Sequence, residues 1–77
     1  MKKGDKIIWD SHFGYDLGEF ISDKGVMYYT VSVELFTSTY SNGAISLSVN
    51  EIHPYTEELH NQMIKRYGYE KKFPGTA

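Results

Sequence analysis

Between Asp5 and Val49 apolar and polar residues alternate almost without pause. A period of two marks strands that bury one face and wet the other. The alternation breaks at Asp23-Lys24-Gly25 and at Asn42-Gly43. Residues of these types turn a chain back on itself between antiparallel neighbours. The pattern sets the fold class as mainly β, built from antiparallel strands.

Residues 6–9 predict a first strand, and 10–15, with Asp, Ser, His and Gly, predict a loop. Residues 17–22 predict a second strand. A three-residue turn at Asp23-Lys24-Gly25, with Gly25 left-handed and closing a bulge, would set Ile21 opposite Met27 and Leu17 opposite Val31. A third strand is expected over 26–35. Met27, Tyr29, Val31, Val33 and Leu35 share one face of it, and Tyr28, Thr30, Ser32 and Glu34 the other. Ser41-Asn42-Gly43-Ala44 suits a type I′ turn, pairing Tyr40 with Ile45, Ser38 with Leu47 and Phe36 with Val49. The two registers disagree in parity, which places a bulge or bend near residues 35–37 and curls the sheet.

Residues 50–55 predict a connector with a single 3₁₀ turn. Thr56 follows as a helix N-cap, with Glu57 and Glu58 in the first turn, where the helix dipole favours acids. Leu59, Met63, Ile64 and Tyr67 share one helix face. Lys65 and Arg66 lie in the last turn, and Gly68 ends it. The chain is expected to form a single domain over 1–68, with 69–77 as a flexible tail.

Lys3-Gly4-Asp5-Lys6-Ile7-Ile8, then Leu17-Gly18-Glu19-Phe20-Ile21, resembles the opening of small SH3-like barrels of the KOW and Tudor type. The stretch from Ile45 to Tyr55, a strand followed by an Ile-x-Pro turn, is similar to their ending. The resemblance covers roughly residues 3–55 and implies an SH3-like antiparallel barrel of four to five strands, with the C-terminal α-helix as an addition. Members of that family act mostly as binding modules for proteins, peptides or nucleic acids. The aromatic cage by which Tudor-type domains read methylated side chains has no matching positions here.

A chain of 77 residues buries only about 60% of its unfolded surface and has a narrow stability margin. Without cysteine it can use neither a disulfide framework nor a thiolate zinc site, which fits a reducing, cytoplasmic setting. No apolar run approaches the ~18 residues that span a membrane, and the basic start is not followed by the apolar stretch of a signal peptide. Aromatic residues, 16% of the chain, must supply much of the core bulk, and some are expected to remain outside.

The formal net charge of −2 argues against a strong phosphate-binding surface. The balance is uneven, however. Lys65, Arg66, Lys71 and Lys72 cluster near the C-terminus and interleave with Tyr67, Tyr69 and Phe73, a mixture able to hold phosphates and stack bases.

Two constellations hold the residue types of catalysis. His53, Glu57 and His60 have metal-ligand spacing only if one helix carries all three, and Pro54 and Thr56 put His53 before the helix. Asp10-Ser11-His12 has the composition of a triad, but neighbours in one loop seldom point at one another, and a polar loop bonding its own backbone is expected. No enzymatic activity, metal or cofactor is expected. The function expected is that of a small binding or adaptor module, of the kind found among bacterial or phage accessory proteins. It would recognise a protein partner through Trp9, Phe13, Tyr15, Tyr28 and Tyr40, because Trp and Tyr anchor interfaces. The flat outer face formed by Tyr28, Thr30, Ser32, Glu34, Ala44, Ser46 and Ser48 could also pair with a second copy as a homo-oligomer. The alternative is nucleic-acid binding through Lys65, Arg66, Lys71 and Lys72.

Overall fold

The computed structural model describes residues 1–38 and 43–75. Five antiparallel strands form one sheet: β1 (Lys6–Asp10), β2 (Tyr15–Ser22), β3 (Thr30–Leu35), β4 (Ala44–Ser48) and β5 (Ile52–Pro54). A 3₁₀ turn at Val49–Glu51 joins β4 to β5, and one helix, α1 (Glu57–Tyr67), follows. The spatial order is β4-β3-β2-β1-β5. The first four strands therefore meander, and β5 returns to pair with the free side of β1, Ile8 opposite His53 and Trp9 opposite Ile52. The sheet ends at β4 on one side and β5 on the other.

Apolar residues fill both sides of the sheet, because β1 and β2 point alternate side chains to opposite faces. Ile7, Phe20, Val31, Val33, Leu35 and Ile52 form one core, with Trp9, Ile45 and Leu47 packed against it. Ile8, Tyr15, Leu17 and Met63 form the other, completed by Leu59, Ile64 and Tyr67 of α1 and by Tyr55 and Phe73. At Gly18, a Cβ would meet the Glu34 carbonyl oxygen at 2.2 Å, so only glycine lets β2 and β3 approach this closely.

The helix forms where its caps predict. The Thr56 side chain accepts from the Leu59 N–H at 3.1 Å. Gly68 takes φ 81° and donates its N–H to Ile64. Residues 69–77 were expected as a loose tail. As far as Phe73 they run back over the sheet, where the Lys71 ammonium meets Asp16 at 2.6 Å and the Phe73 ring meets those of Tyr55 and Phe36.

The strand registers differ from expectation. Gly18 faces Leu35 and Phe20 faces Val33, not Leu17 facing Val31. The third strand begins at Thr30, and the connection before it is longer than three residues. Gly25 is not left-handed; Tyr29 is, with φ 60°. Gly25 instead lies against Thr30, whose Oγ1 would sit 2.0 Å from an added Cβ. Alternation at Met27 and Tyr29 continues the strand pattern, but Thr30 competes for this backbone. Its hydroxyl bonds the Met27 carbonyl at 2.6 Å and receives the Met27 N–H at 3.2 Å, closing a local turn in place of a ladder.

Between β3 and β4, Val33 faces Ile45 and Val31 faces Leu47, in place of the expected pairs Ser38–Leu47 and Phe36–Val49; the expected pair Tyr40–Ile45 involves a residue outside the described ones. The proposed type I′ turn lies partly outside the described residues. The irregularity in the sheet is at Ile21, between the pairs Phe20–Val33 and Ser22–Ser32, and not at 35–37. The residues on each face of β3 and β4 are nevertheless those expected: the register differs by an odd step, but the parity flip expected at 35–37 is absent too, and the two changes cancel to leave Val31 and Val33 beside Leu47 and Ile45.

Candidate functional site

The expected contact residues divide into three groups. Tyr15 is 1% exposed and belongs to the helix-side core, so it is not a surface residue. Trp9 is half-buried; it packs on the other core and donates its Nε1–H to Glu51 at 3.2 Å. Phe13 and Tyr28 stand out, 96% and 93% exposed. Tyr40 lies outside the described residues. Trp9 and Phe13 come together on the rim of a groove of 280 Å³, with Tyr69, Thr37, Asp16 and Lys71. Tyr28 belongs to a separate place, the β2–β3 connection.

That connection carries four consecutive apolar residues, Val26, Met27, Tyr28 and Tyr29, each 74–93% exposed. Their backbone is well tied. Gly25 N–H bonds the Thr30 carbonyl, Val26 N–H bonds Ser46 Oγ at 3.0 Å, and Val49 N–H bonds the Tyr29 carbonyl at 2.8 Å. Ser32 Oγ donates to the Lys24 carbonyl at 2.9 Å. The connection thus folds across the outer face of β3 and β4 and covers part of the flat surface expected to be free. A bulky residue at positive φ is an outlier of the kind that persists where surrounding bonds enforce it. The result is an ordered backbone that turns its apolar side chains outward.

The groove has a different floor. Tyr15 Oη donates its one proton to the Tyr69 carbonyl at 3.2 Å and accepts the Lys71 N–H at 2.8 Å. Its 3.4 Å contact with His60 Nε2 therefore takes its proton from the imidazole. His60 Nδ1 is left to accept from the Tyr55 hydroxyl at 2.9 Å. Burial pushes the Tyr15 hydroxyl up from its ordinary pKa. Tyr15 also stacks on Tyr69, with centroids 5.4 Å apart. These bonds fasten the helix and the C-terminal segment to β2.

Asp10 works in the same way at the end of β1. It is buried and accepts from Arg66 at 2.8 Å, from the Tyr67 hydroxyl at 2.5 Å and from the His12 N–H at 3.0 Å. Burial raises its pKa, but the Tyr67 and His12 hydrogen bonds and the Arg66 charge outweigh it and hold the carboxyl below its usual range. The bond to Asp10 raises Tyr67 correspondingly.

The Asp10-Ser11-His12 loop is bonded to its own backbone. Ser11 Oγ donates to the Gly14 carbonyl at 2.9 Å, and Asp10 receives the His12 N–H. His53 sits on β5, while His60 is enclosed by tyrosines. Among the described residues no group of three or more His, Cys, Asp or Glu could hold a metal ion. No helix of the described residues is long and apolar enough to cross a membrane.

The basic cluster is divided. Arg66 pairs with Asp10 and Lys71 with Asp16, while Lys65 and Lys72 are exposed. Sequence reasoning missed Asp10, Asp16 and His60 as interior anchors and missed the apolar loop tip. The tip had a visible signal, since four consecutive apolar residues depart from strict alternation. No known protein-family model matches the chain, and neither a curated protein nor a solved structure matches it.

Proposed function

We propose that the protein is a non-enzymatic binding module, a small SH3-like barrel with an added helix, that recognises a protein partner through exposed aromatics. The observation that carries the reading is the tip at residues 26–29, four apolar side chains in solvent on a hydrogen-bonded backbone. Exposed contiguous apolar surface marks interaction sites, and an ordered loop loses little entropy when it is covered. Phe13 and the Trp9 rim offer a second aromatic contact. The strand order, with a 3₁₀ turn leading into a last strand that pairs with the first, supports the SH3-like reading. A protein partner is favoured over nucleic acid because Arg66 and Lys71 already face carboxylates, which leaves only Lys65 and Lys72 of the C-terminal basic cluster for phosphates. The absence of cysteine suits work in the cytoplasm.

The test is affinity capture from the native host with the parent protein and with Phe13, Met27, Tyr28 and Tyr29 all changed to Ser. The parent should retain a stoichiometric protein that the variant loses, with unfolding midpoints matched. Equal retention by both would refute the reading. Retention of nucleic acid at low salt, lost on changing Lys65 and Lys72 to Glu, would favour the alternative.

A further inference from the structure

The two ends of the sheet are protected very differently. β5 is three residues long and ends in Pro54, which has no N–H to offer. β4, Ala44-Ile45-Ser46-Leu47-Ser48, has no charge and no proline, and no strand of the described residues pairs with its outer side. Sheet edges are ordinarily blunted by charge, proline or cover, because an open edge is a template for another strand.

The direction of the free groups follows from the register. In an antiparallel pair, N–H and C=O of one residue point to the same side, and successive residues alternate. Val49 donates its N–H to Tyr29 in continuation of the β3–β4 ladder, in which Val31 faces Leu47 and Val33 faces Ile45. The odd residues of β4 therefore bond β3. The Phe36 N–H bonds the Leu17 carbonyl, so the even residues of β3 face β2 and its odd residues face β4, which agrees. Ala44 and Ser46 are left to turn both N–H and C=O outward, and Ser48 its N–H, while the Ser48 carbonyl also opens the 3₁₀ turn that follows.

This edge complements itself. We infer that β4 pairs antiparallel with β4 of a second copy, across a two-fold axis at Ser46. With Ser46 opposite its counterpart, the two Ser46 residues exchange two hydrogen bonds, each Ser48 N–H meets the Ala44 carbonyl of the other copy, and each Ala44 N–H uses the second lone pair of the Ser48 carbonyl. Ile45 then lies beside Leu47 of the second copy, both only half-buried in the single chain, and extends the core across the junction. On the outer face only Ala and Ser meet, with none of the like-charge opposition that disfavours strand pairs. The Val26 N–H bond to Ser46 Oγ sets the loop tip beside the axis, so the dimer presents two apolar tips together. The inference needs no external partner and stands independently of the proposed function.

The experiment is sedimentation velocity on the full chain from about 10 μM to 1 mM, a range that covers weak self-association. Two charge variants accompany it. Ala44→Lys with Ser48→Lys sets lysine against lysine across the axis; Ala44→Lys with Ser48→Glu sets lysine against glutamate. The parent should pass from monomer to dimer with concentration. The first variant should shift the midpoint at least tenfold higher, and the second should restore it. Amide hydrogen exchange supplies an independent reading. Protection at Ala44, Ser46 and Ser48 should rise with concentration, while Ile45 and Leu47, already bonded to β3, should not change. A monomer throughout the range overturns the inference. So does a dimer that both variants leave unaltered, or one in which the exchange of Ala44, Ser46 and Ser48 is independent of concentration. A dimer abolished by Met27→Ser with Tyr28→Ser but indifferent to both charge variants would place the contact on the tips and overturn it equally.

Discussion

Tyr15 and Tyr28 are the same residue in two regions built on opposite terms. Tyr15 lies on the half of the sheet that α1 and the C-terminal segment cover. Its ring stacks on Tyr69, and its hydroxyl takes part in three hydrogen bonds. Tyr28 lies on the β3–β4 half, where the chain's own loop covers the sheet and leaves its apolar side chains in water. In the first region polar groups go inward and are paired; in the second, apolar groups go outward. Burial with satisfied polar partners stabilises the fold, whereas ordered apolar exposure contributes little to it. The comparison places stability on the helix side and, under the proposed function, contact on the open side; each prediction below is aimed at that division.

The largest effect should come from Tyr15→Ala. Emptying a large aromatic site costs roughly 3–5 kcal/mol, and the Lys71 N–H and Tyr69 carbonyl lose their partner as well. Small domains hold a total of about 5–15 kcal/mol, so the variant should be largely unfolded near its parent's working temperature. Urea unfolding followed by tyrosine and tryptophan fluorescence measures this. Tyr15→Phe separates packing from the hydroxyl and should cost only about 1–2 kcal/mol. A Tyr15→Ala protein as stable as the parent would end the division between the two halves.

Next comes Asp10→Asn, expected to cost roughly 1.5–3 kcal/mol at neutral pH, the range for hydrogen bonds to a charged group. The folded carboxyl titrates below its ordinary value, so its contribution is fully present above about pH 3.9 and disappears as pH falls through the lower folded value. The stability gap between parent and variant should therefore close progressively as pH falls below about 4. Unfolding midpoints at a series of acid pH values check the sign. A gap that widened with acid would mean that Asp10 is better accommodated protonated.

How much of this was legible in the chain differs between the same two regions. The helix was, because Thr56, Gly68 and the 3.6-residue spacing of Leu59, Met63 and Tyr67 are local signals that packing did not override. Which residues of β3 and β4 face the core was also legible, since alternation within a strand marks its apolar face whatever the strand pairs with. The register itself was not. It depends on Thr30 capturing the Met27 backbone, a side-chain choice that hydrophobic alternation cannot see. The site was legible in part: Phe13 and Tyr28 emerge as surface aromatics, whereas Tyr15 does not. Nothing local distinguishes Tyr15 from them, because its burial is set by Tyr69 and His60, distant in sequence. The same distance hides Asp10 and Asp16, whose cations Arg66 and Lys71 arrive only with the folded-back C-terminal segment.

A smaller effect, of opposite sign, is expected at Tyr29. Its φ of 60° is a left-handed conformation that costs an L-residue with a Cβ roughly 1–2 kcal/mol. Glycine removes that cost but adds backbone entropy to the unfolded chain, about 0.5–1 kcal/mol. Tyr29→Gly should therefore leave stability unchanged or raise it by up to about 1 kcal/mol. A loss larger than that would show that the Tyr29 ring holds the fold, against its 83% exposure.

The smallest effect is expected where the exposed apolar surface is largest, and there a near-zero result is the informative one. Met27→Ser with Tyr28→Ser changes two side chains that are 74% and 93% exposed. Surface substitutions away from specific contacts usually stay within about 0.5 kcal/mol. The bonds that order the loop run from the backbones of residues 24–27 and 29 to the side chains of Ser32, Ser46 and Thr30 and to the backbones of Thr30 and Val49, none of which the variant removes. The loop should keep its shape and the protein its unfolding midpoint, while solubility rises as the apolar tip is lost. A substantial loss of stability would mean that the tip packs on the chain that carries it, and the contrast with Tyr15 would become one of degree. An unchanged midpoint means that folding does not require these side chains to be apolar. That outcome is the one the proposed role of the tip as a partner contact requires.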